Sequence, residues 1–134
     1  MAVKFSTTVR NARLDAVESA IGTSAIIEIR SGSVPANPAA SNTGSVLVTY
    51  TLGSDWTTAA SSGTKQLNDL PISGTASGTG TASYFRIYNS GNVCHWQGSV
   101  TDSGGGGDMI IDNTSIATGQ AVNITSFSVT DGNA

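Results

Sequence analysis

Alternation of apolar and polar residues with a period of two begins near residue 25 and recurs through the rest of the chain. The segments "AIIEIR", "SVLVTYTL", "SYFRIYN", "DMIIDN" and "AVNITSFSVT" all show it. Successive side chains of a β-strand point to opposite faces, so this pattern predicts strands with one buried face. Segments rich in Gly, Ser, Asn and Pro separate the runs and predict turns. Short strands with regular turns predict an all-β domain, either an antiparallel β-sandwich or a jelly-roll-like barrel.

One segment ahead of the strands, "TTVRNARLDAVESAIG", has a helical pattern instead. Its apolar residues recur at helical spacing, at Leu14, Val17 and Ile21. Thr7 or Thr8 is a suitable cap for its start, and Gly22 is a suitable terminator. A helix this short is marginal alone, so it should dock on its own β domain or on a neighbouring subunit. The sequence therefore predicts a helical N-terminal arm over residues 1–22 and a β-sandwich domain over residues 23–134.

Composition favours an ordered domain and limits the kinds of site that it can carry. The 134 residues suit one domain, and only 11% of them are charged, with a formal net charge of −3. That charge is too small to indicate a strongly basic or acidic partner. A single cysteine cannot form an internal disulfide, and one cysteine with one histidine cannot complete an ordinary structural zinc site.

The few basic residues are unevenly distributed. Lys4, Arg10 and Arg13 lie in the first 14 residues without any acid, and no Lys or Arg follows Arg86. A basic N-terminal segment and an acidic C-terminal part are compatible with head-to-tail contact between copies or with two different partners. Ordinary scatter of surface charge explains the same counts.

The only Cys and the only His are adjacent, in "VCHWQGSV". This segment follows the turn signal "NSGN", so it is predicted to be the return strand of a hairpin. Neighbouring strand residues point in opposite directions, which excludes a Cys94–His95 nucleophilic dyad. The alternation predicts that Cys94 and Trp96 share a core face and that His95 lies on the solvent or interface face.

Other motifs do not indicate an enzyme. The "SGGGGD" segment lacks the Lys-Ser/Thr of a phosphate-binding P-loop. The sequence offers no convincing catalytic, cofactor-binding or metal-ligating residues, and its basic and aromatic residues are too sparse for a nucleic-acid face. No apolar run approaches the roughly 18 residues of a membrane span, and the N-terminus lacks the apolar core of a secretory signal. We therefore expect a protein without catalytic activity, cofactor, nucleic acid or membrane partner.

Three segments resemble a known family: "MAVKFSTTVRNARLDAVE", "FRIYNSGNVCHWQGSV" and "GGGGDMIIDNTSIATGQAVNITSFSV". Together they are similar to small structural proteins of tailed-bacteriophage virions, and the similarity is weakest over residues 31–80. The resemblance is one of overall pattern, so it carries over no functional residues. It implies a virion location, after synthesis in the host bacterial cytoplasm.

Within a virion, the sequence favours a capsid decoration or cement protein. The expected partners are the major capsid protein and further copies of this chain, as a dimer or trimer. The candidate contact residues lie in the N-terminal arm: Lys4, Phe5, Val9, Arg10 and Arg13. Two alternatives stay open, a tail or fibre accessory protein and a carbohydrate-binding β-sandwich. The second would use exposed aromatic residues such as Trp56, Tyr84 or Tyr88 as stacking platforms.

Overall fold

The computed structural model describes residues 3–133 and is mostly β, as expected. Its single helix precedes all of its strands. The elements are α1 (Thr7–Ile21), β1 (Ile26–Arg30), β2 (Val46–Thr51), β3 (Thr64–Gln66), β4 (Ile72–Thr75), β5 (Gly80–Thr81), β6 (Tyr84–Tyr88), β7 (Cys94–Thr101), β8 (Met109–Ile111), β9 (Ser115–Ile116) and β10 (Ala121–Thr130).

Helix α1 lies where the sequence predicts a helix, but its cap differs. The Ser6 side chain, rather than Thr7 or Thr8, accepts a hydrogen bond from the Val9 backbone N–H at 3.3 Å. Ser6 has an extended backbone conformation, which is typical of an N-cap. Gly22 ends the helix with φ of 88°, a value that residues with a side chain rarely adopt.

The helix packs against the β domain of its own chain. Leu14 and Ile21 are buried, and Ile21 belongs to the main hydrophobic core. Trp56 extends this contact, because its indole Nε1 donates to the Gly22 carbonyl at 3.0 Å. Of the two docking partners considered for the apolar stripe, the structure shows the chain's own β domain.

Acidic residues of the helix hold a buried lysine of strand β3. The Lys65 ammonium lies 2.7 Å from Asp15 Oδ1 and 3.4 Å from Glu18 Oε2. Glu18 also accepts hydrogen bonds from the backbone N–H groups of Trp56 and Thr57, at 3.0 and 3.2 Å. Burial acts to raise the pKa of Glu18, but the hydrogen bonds from Thr57, Trp56 and Lys65 outweigh it and lower the pKa. The hydrogen bond from Lys65 likewise lowers the pKa of Asp15.

The two ends of the described chain meet beside the helix. The Phe5 backbone N–H donates to the Asn133 carbonyl at 2.7 Å. Arg10 Nη2 donates to the Asp131 carbonyl at 2.6 Å, and Arg13 Nε lies 3.2 Å from the Asp131 carboxylate. Residues 5–22 are therefore tied to both the middle and the end of the β domain.

The strands form one main sheet in the order β2-β1-β6-β7-β8-β10-β3, with β4 also paired to β10 and a separate β5-β9 pair. Every pairing among the named strands is antiparallel except that of β7 with β8, which is parallel. The prediction of a purely antiparallel sheet is therefore wrong for this pair. The sheet is curled, so its β2 edge approaches β4. The Tyr50 hydroxyl donates to the Val122 carbonyl across this gap at 2.8 Å. Gly74 leaves room for the Tyr50 ring, because a Cβ there would lie 2.6 Å from Cε1.

The hydrophobic core fills the concave side of the curled sheet. Alternate residues of the strands supply it, as the period of two predicts. The largest fully buried apolar members are Phe85, Ile27, Ile29, Leu47, Leu67, Ile87, Met109, Ile111, Ile124, Val48 and Val122. Phe127 joins two parts of this core, because its ring centroid lies 5.0 Å from those of both Phe85 and Trp96.

The glycine-rich segment between β7 and β8 makes their parallel pairing possible. Parallel neighbours normally need a connection of about a dozen residues or more, but only residues 102–108 separate these strands. The loop wraps closely around Thr101, where a Cβ on Gly105 or Gly107 would lie 2.5 or 2.8 Å from its side chain. Asp108 closes the loop by accepting hydrogen bonds from the backbone and hydroxyl of Ser99, each at 2.9 Å. The "SGGGGD" segment therefore has a structural role.

Candidate functional site

A β-bulge at His95 changes the predicted orientation of the adjacent residues. Trp96 pairs with Ile87, whereas Cys94 pairs with Tyr88, so one extra residue lies on β7 at this point. Residues opposite each other in a ladder share a face, so Cys94 lies on the face of Tyr88 and Trp96 on that of Ile87. The prediction that Cys94 and Trp96 share the core face is therefore wrong. Trp96 packs on the core, but Cys94 is only half-buried.

The hairpin that carries Cys94 is itself as predicted. Asn89 organises its turn: the side-chain Oδ1 accepts the backbone N–H groups of Gly91 and Val93, at 3.0 and 2.9 Å. Asn92 completes the turn with φ of 64°, a conformation that Asn tolerates better than most residues. His95 is exposed, as expected, and its Nε2 lies 3.3 Å from the Asn89 amide nitrogen. The turn is thus fixed by local hydrogen bonds.

An open cavity of about 690 Å³ lies between this hairpin, strand β6 and the loop that connects β1 to β2. Its walls are mainly small, amide or aromatic side chains, together with one cationic group. The lining residues are Asn37, Pro38, Ala39, Ala40, Ser41, Asn42, Arg86, Tyr88, Asn92, Val93, Cys94 and His95. The volume falls within the range of about 300–1,000 Å³ that is common for small-molecule sites.

Arg86 is the cation of this cavity, and it is only 3% exposed. Its Nη1 donates to Asn42 Oδ1 at 2.9 Å, and its Nη2 donates to the Asn37 carbonyl and to Gln97 Oε1, each at 3.0 Å. All three acceptors are neutral. Among residues 3–133, Arg86 Nε has no hydrogen-bond partner and the guanidinium forms no ion pair. Buried charges are usually paired, so this arrangement is unusual.

The opposite wall, residues 37–42, is held in place by internal hydrogen bonds. Asn37 Oδ1 accepts the backbone N–H groups of Ala39 and Ala40, at 2.9 and 3.0 Å. The Tyr88 hydroxyl donates to Asn42 Oδ1 at 3.0 Å, and the Tyr84 hydroxyl donates to the Thr43 carbonyl at 2.8 Å. Both walls of the cavity are therefore shaped before any ligand arrives.

Cys94 is not an activated nucleophile in this setting. Burial, together with the charge of Glu28, raises the pKa of its thiol, and these effects exceed the opposing effects of the backbone hydrogen bond of Trp96 and the charge of Arg86. The reactive thiolate is therefore less populated at neutral pH than in an unperturbed cysteine.

The native protein is expected to react slowly with a small thiol reagent at pH 7, and the denatured protein rapidly. Stopped-flow labelling across pH should show the native rate still rising above pH ~8.5, the ordinary thiol value. A Val93→Cys, Cys94→Ser variant provides a matched exposed thiol on the neighbouring residue. If the native wild-type rate equalled that of this control, shielding of Cys94 would be refuted.

The predicted partner-contact residues do not all reach the surface. Arg10 is buried, and its guanidinium donates to the Asp131 carbonyl, so its role in a partner contact stays a prediction. Lys4, Phe5, Val9 and Arg13 are exposed. The structure brings two of them together, with the Arg13 guanidinium 5.0 Å from the Phe5 ring centroid.

The aromatic residues suggested as carbohydrate-stacking platforms are buried. Trp56 and Tyr84 pack inside the protein, and Tyr88 presents little surface although it lines the cavity. The expectation of exposed platforms at these three positions is therefore wrong. Sequence reasoning also missed Arg86, Asn37 and Asn42. The only available signal was a charged residue within the otherwise apolar and aromatic strand "YFRIY".

Within residues 3–133, no three His, Cys, Asp or Glu side chains are grouped so that they could hold a metal ion. The described part of the chain also contains no helix with the length and hydropathy needed to cross a membrane. Comparison of the chain with protein-family models, curated proteins and solved structures found no match.

Proposed function

We propose that this protein is a non-enzymatic structural component of a tailed-phage virion, a capsid decoration or cement protein that bridges shell subunits. The observation that carries the proposal is the exposure of apolar side chains in the N-terminal segment. Val3, Phe5 and Val9 are 68%, 38% and 42% exposed. Single exposed apolar residues are ordinary, but a concentration of them on one segment is typical of a contact surface. The resemblance of three sequence segments to phage structural proteins supports the same role.

The attachment of that segment to the domain suits a bridging role. Arg13 and Phe5 lie against each other, and Arg10 fixes the base of the helix to Asp131. The contact surface would therefore transmit force directly into the β domain. We also propose that the curled sheet is a jelly-roll-like barrel, as the sequence predicts. The approach of Tyr50 to Val122 across the open side of the sheet supports it.

Binding to a shell would depend on several contacts of moderate size. A standard protein–protein interface buries roughly 1,200–2,000 Å². A dimer or trimer of this chain could engage several capsid subunits at once, and each additional contact would raise the effective concentration for the next. Because few residues are charged, these contacts should be only weakly sensitive to salt.

Phage particles that lack this protein are expected to lose DNA at a lower temperature than complete particles, because the bridging contacts are missing. Release of DNA on heating can be followed with an intercalating dye. Adding back wild-type protein should restore the release temperature, and a Val9→Asp variant should not. Val34→Asp is the matched control, because Val34 is similarly exposed, at 44%, but lies outside helix α1, in the loop between β1 and β2.

Two results would contradict the cement proposal. The first is an unchanged release temperature combined with loss of adsorption to cells, and the second is a copy number of only a few per particle. Either would favour the alternative, a tail or fibre accessory protein.

A further inference from the structure

We propose that the cavity between residues 37–42, strand β6 and the 89–95 hairpin binds the carboxylate of an acidic sugar. The inference rests on the chemistry of the cavity walls and does not depend on a role in a virion. Its central observation is a buried guanidinium that lines an open polar cavity and has no carboxylate within salt-bridge distance among residues 3–133.

The charge balance of the cavity favours an anion. Arg86 is the only fixed charge among the lining residues, which include no Asp or Glu. The nearest acidic residue along the sheet is Glu28, opposite Arg86 in the β1–β6 ladder. Glu28 pairs with Arg30 at 2.8 Å, and besides burial its charge also raises the pKa of Tyr88 and of Cys94 in the cavity wall. This one carboxylate is shared by the guanidinium groups of Arg30 and Arg86, so one positive charge is left over. In a partly buried site this charge is weakly screened, and an anion in the cavity would compensate it.

Amide donors on the loop wall are free to complete such a site. Asn37 Oδ1 accepts the backbone N–H groups of Ala39 and Ala40 within the loop, whereas Asn42 Oδ1 accepts from Arg86 and Tyr88 across the cavity wall. This fixes the amide orientation, and each Nδ2 group is left without a partner among the described residues. Asn42 therefore links the buried Arg86 to the cavity surface. A carboxylate that accepts a hydrogen bond from Asn42 Nδ2 would be separated from the Arg86 guanidinium only by the Asn42 amide.

The remaining walls suit a hydroxyl-rich ring better than the acidic side chain of a partner protein. Ser41, Asn92 and His95 add neutral polar groups on separate sides of the cavity, and Pro38 and Val93 add apolar surface. A single Asp or Glu side chain would contact the polar groups on only one side of the cavity. A uronic-acid-type sugar presents one carboxylate, several hydroxyls and an apolar ring face. Since both walls are held by internal hydrogen bonds, less ordering is required on binding.

The test adds a competing carboxylate at the rim. Val93 lines the cavity and is 54% exposed, so Val93→Glu should fold while placing a negative charge beside the site. Val93→Gln is the matched control, with nearly the same shape and no charge. Titration calorimetry would use sodium glucuronate as the probe, with glucose and sodium acetate as comparisons. Circular dichroism and thermal melting would confirm that both variants are folded.

We expect glucuronate to bind wild type, and to bind Val93→Glu at least about tenfold more weakly than the uncharged Val93→Gln, since the two variants differ only in the added negative charge. Glucose and acetate should each bind wild type at least about tenfold more weakly than glucuronate. Equal binding of acetate would show a simple anion site and overturn the assignment to a sugar. Absence of glucuronate binding to folded wild type would also overturn it. The assignment to a sugar would likewise be overturned if wild type bound an acidic peptide but not glucuronate, and if Val93→Glu abolished the peptide binding.

Discussion

A chain that lacks residues 1–22 is expected not to fold. Deletion would remove both carboxylates from the Lys65 ammonium, and this side chain is only 4% exposed. It would also leave the backbone N–H groups of Trp56 and Thr57 without the Glu18 carboxylate, and would uncover the core beside Ile21. Removing one partner of a buried ion pair alone costs about 3–5 kcal/mol, which is comparable to the whole stability of a small domain. The sequence alone instead predicts that residues 1–22 form an arm separate from the β domain over residues 23–134.

Far-UV circular dichroism and a two-dimensional amide NMR spectrum of the truncated chain would check this expectation. Deletion of residues 1–4 is the control, since it keeps Phe5 and its hydrogen bond to Asn133. A folded, cooperatively melting protein without residues 1–22 would contradict the integral role of the helix. It would restore the interpretation of this segment as a detachable arm.

The same cluster should make the stability of the intact protein depend on acid. The pKa values of Asp15 and Glu18 are lowered in the folded state from their ordinary values of 3.8 and 4.5. Both groups therefore contribute stability that is fully present above those ordinary values and is lost as the pH falls through the lowered ones. Glu18→Gln should flatten this acid dependence in urea unfolding between neutral pH and about pH 3.

Phe127→Ala is expected to lower the free energy of unfolding by about 3–5 kcal/mol, the usual loss for a buried aromatic residue. Phe127 lies on β10 and contacts Phe85 of β6 and Trp96 of β7 at once, with centroid distances of 5.0 Å. The shortened side chain would leave a cavity where three strands meet. The rigid surroundings of Trp96 should loosen as well, which near-UV circular dichroism would register.

Urea unfolding monitored by tryptophan fluorescence would measure this loss. Ser128→Ala is the matched control, because it changes the next, exposed residue of the same strand and should stay within about 0.5 kcal/mol of wild type. A loss below about 1 kcal/mol for Phe127→Ala would mean that the surroundings collapse into the space or that the contact with Trp96 is unimportant.

The secondary structure was predictable because the residue patterns repeat. The apolar residues Leu14, Val17 and Ile21 gave the helix, and the alternation in "AIIEIR" and "SYFRIYN" gave strands β1 and β6. These are local signals, and they depend only on which face of an element is buried. The hairpin turn was equally local, since Asn89 forms it with its own side chain.

The bulge and the parallel pair were not predictable in the same way. A bulge at His95 changes the face of Cys94 through the pairing of two strands, and nothing in "VCHWQGSV" marks the extra residue. The pairing of β7 with β8 depends on a tight loop around Thr101. Its glycines are visible in the sequence, but the direction of the next strand is not. Both features arise from contacts between segments.

The candidate site was hidden for a related reason. Arg86 comes from a strand, Asn37 and Asn42 from a loop, and Val93 from a hairpin turn, so only folding brings them together. Arg86 could be recognised in advance as an odd residue in an apolar strand. The absence of an ion pair at Arg86 could not be predicted, because the sequence does not show which carboxylates lie within reach of the guanidinium.

The meeting of the two chain ends bears on how the protein can be engineered. Because the Phe5 amide bonds to the Asn133 carbonyl, a tag or fusion partner attached at either end would emerge at the same place, beside Phe5 and Arg13. A bulky fusion at one end would therefore obstruct the same surface as a fusion at the other. A short linker joining the old ends would suffice for a circularly permuted chain.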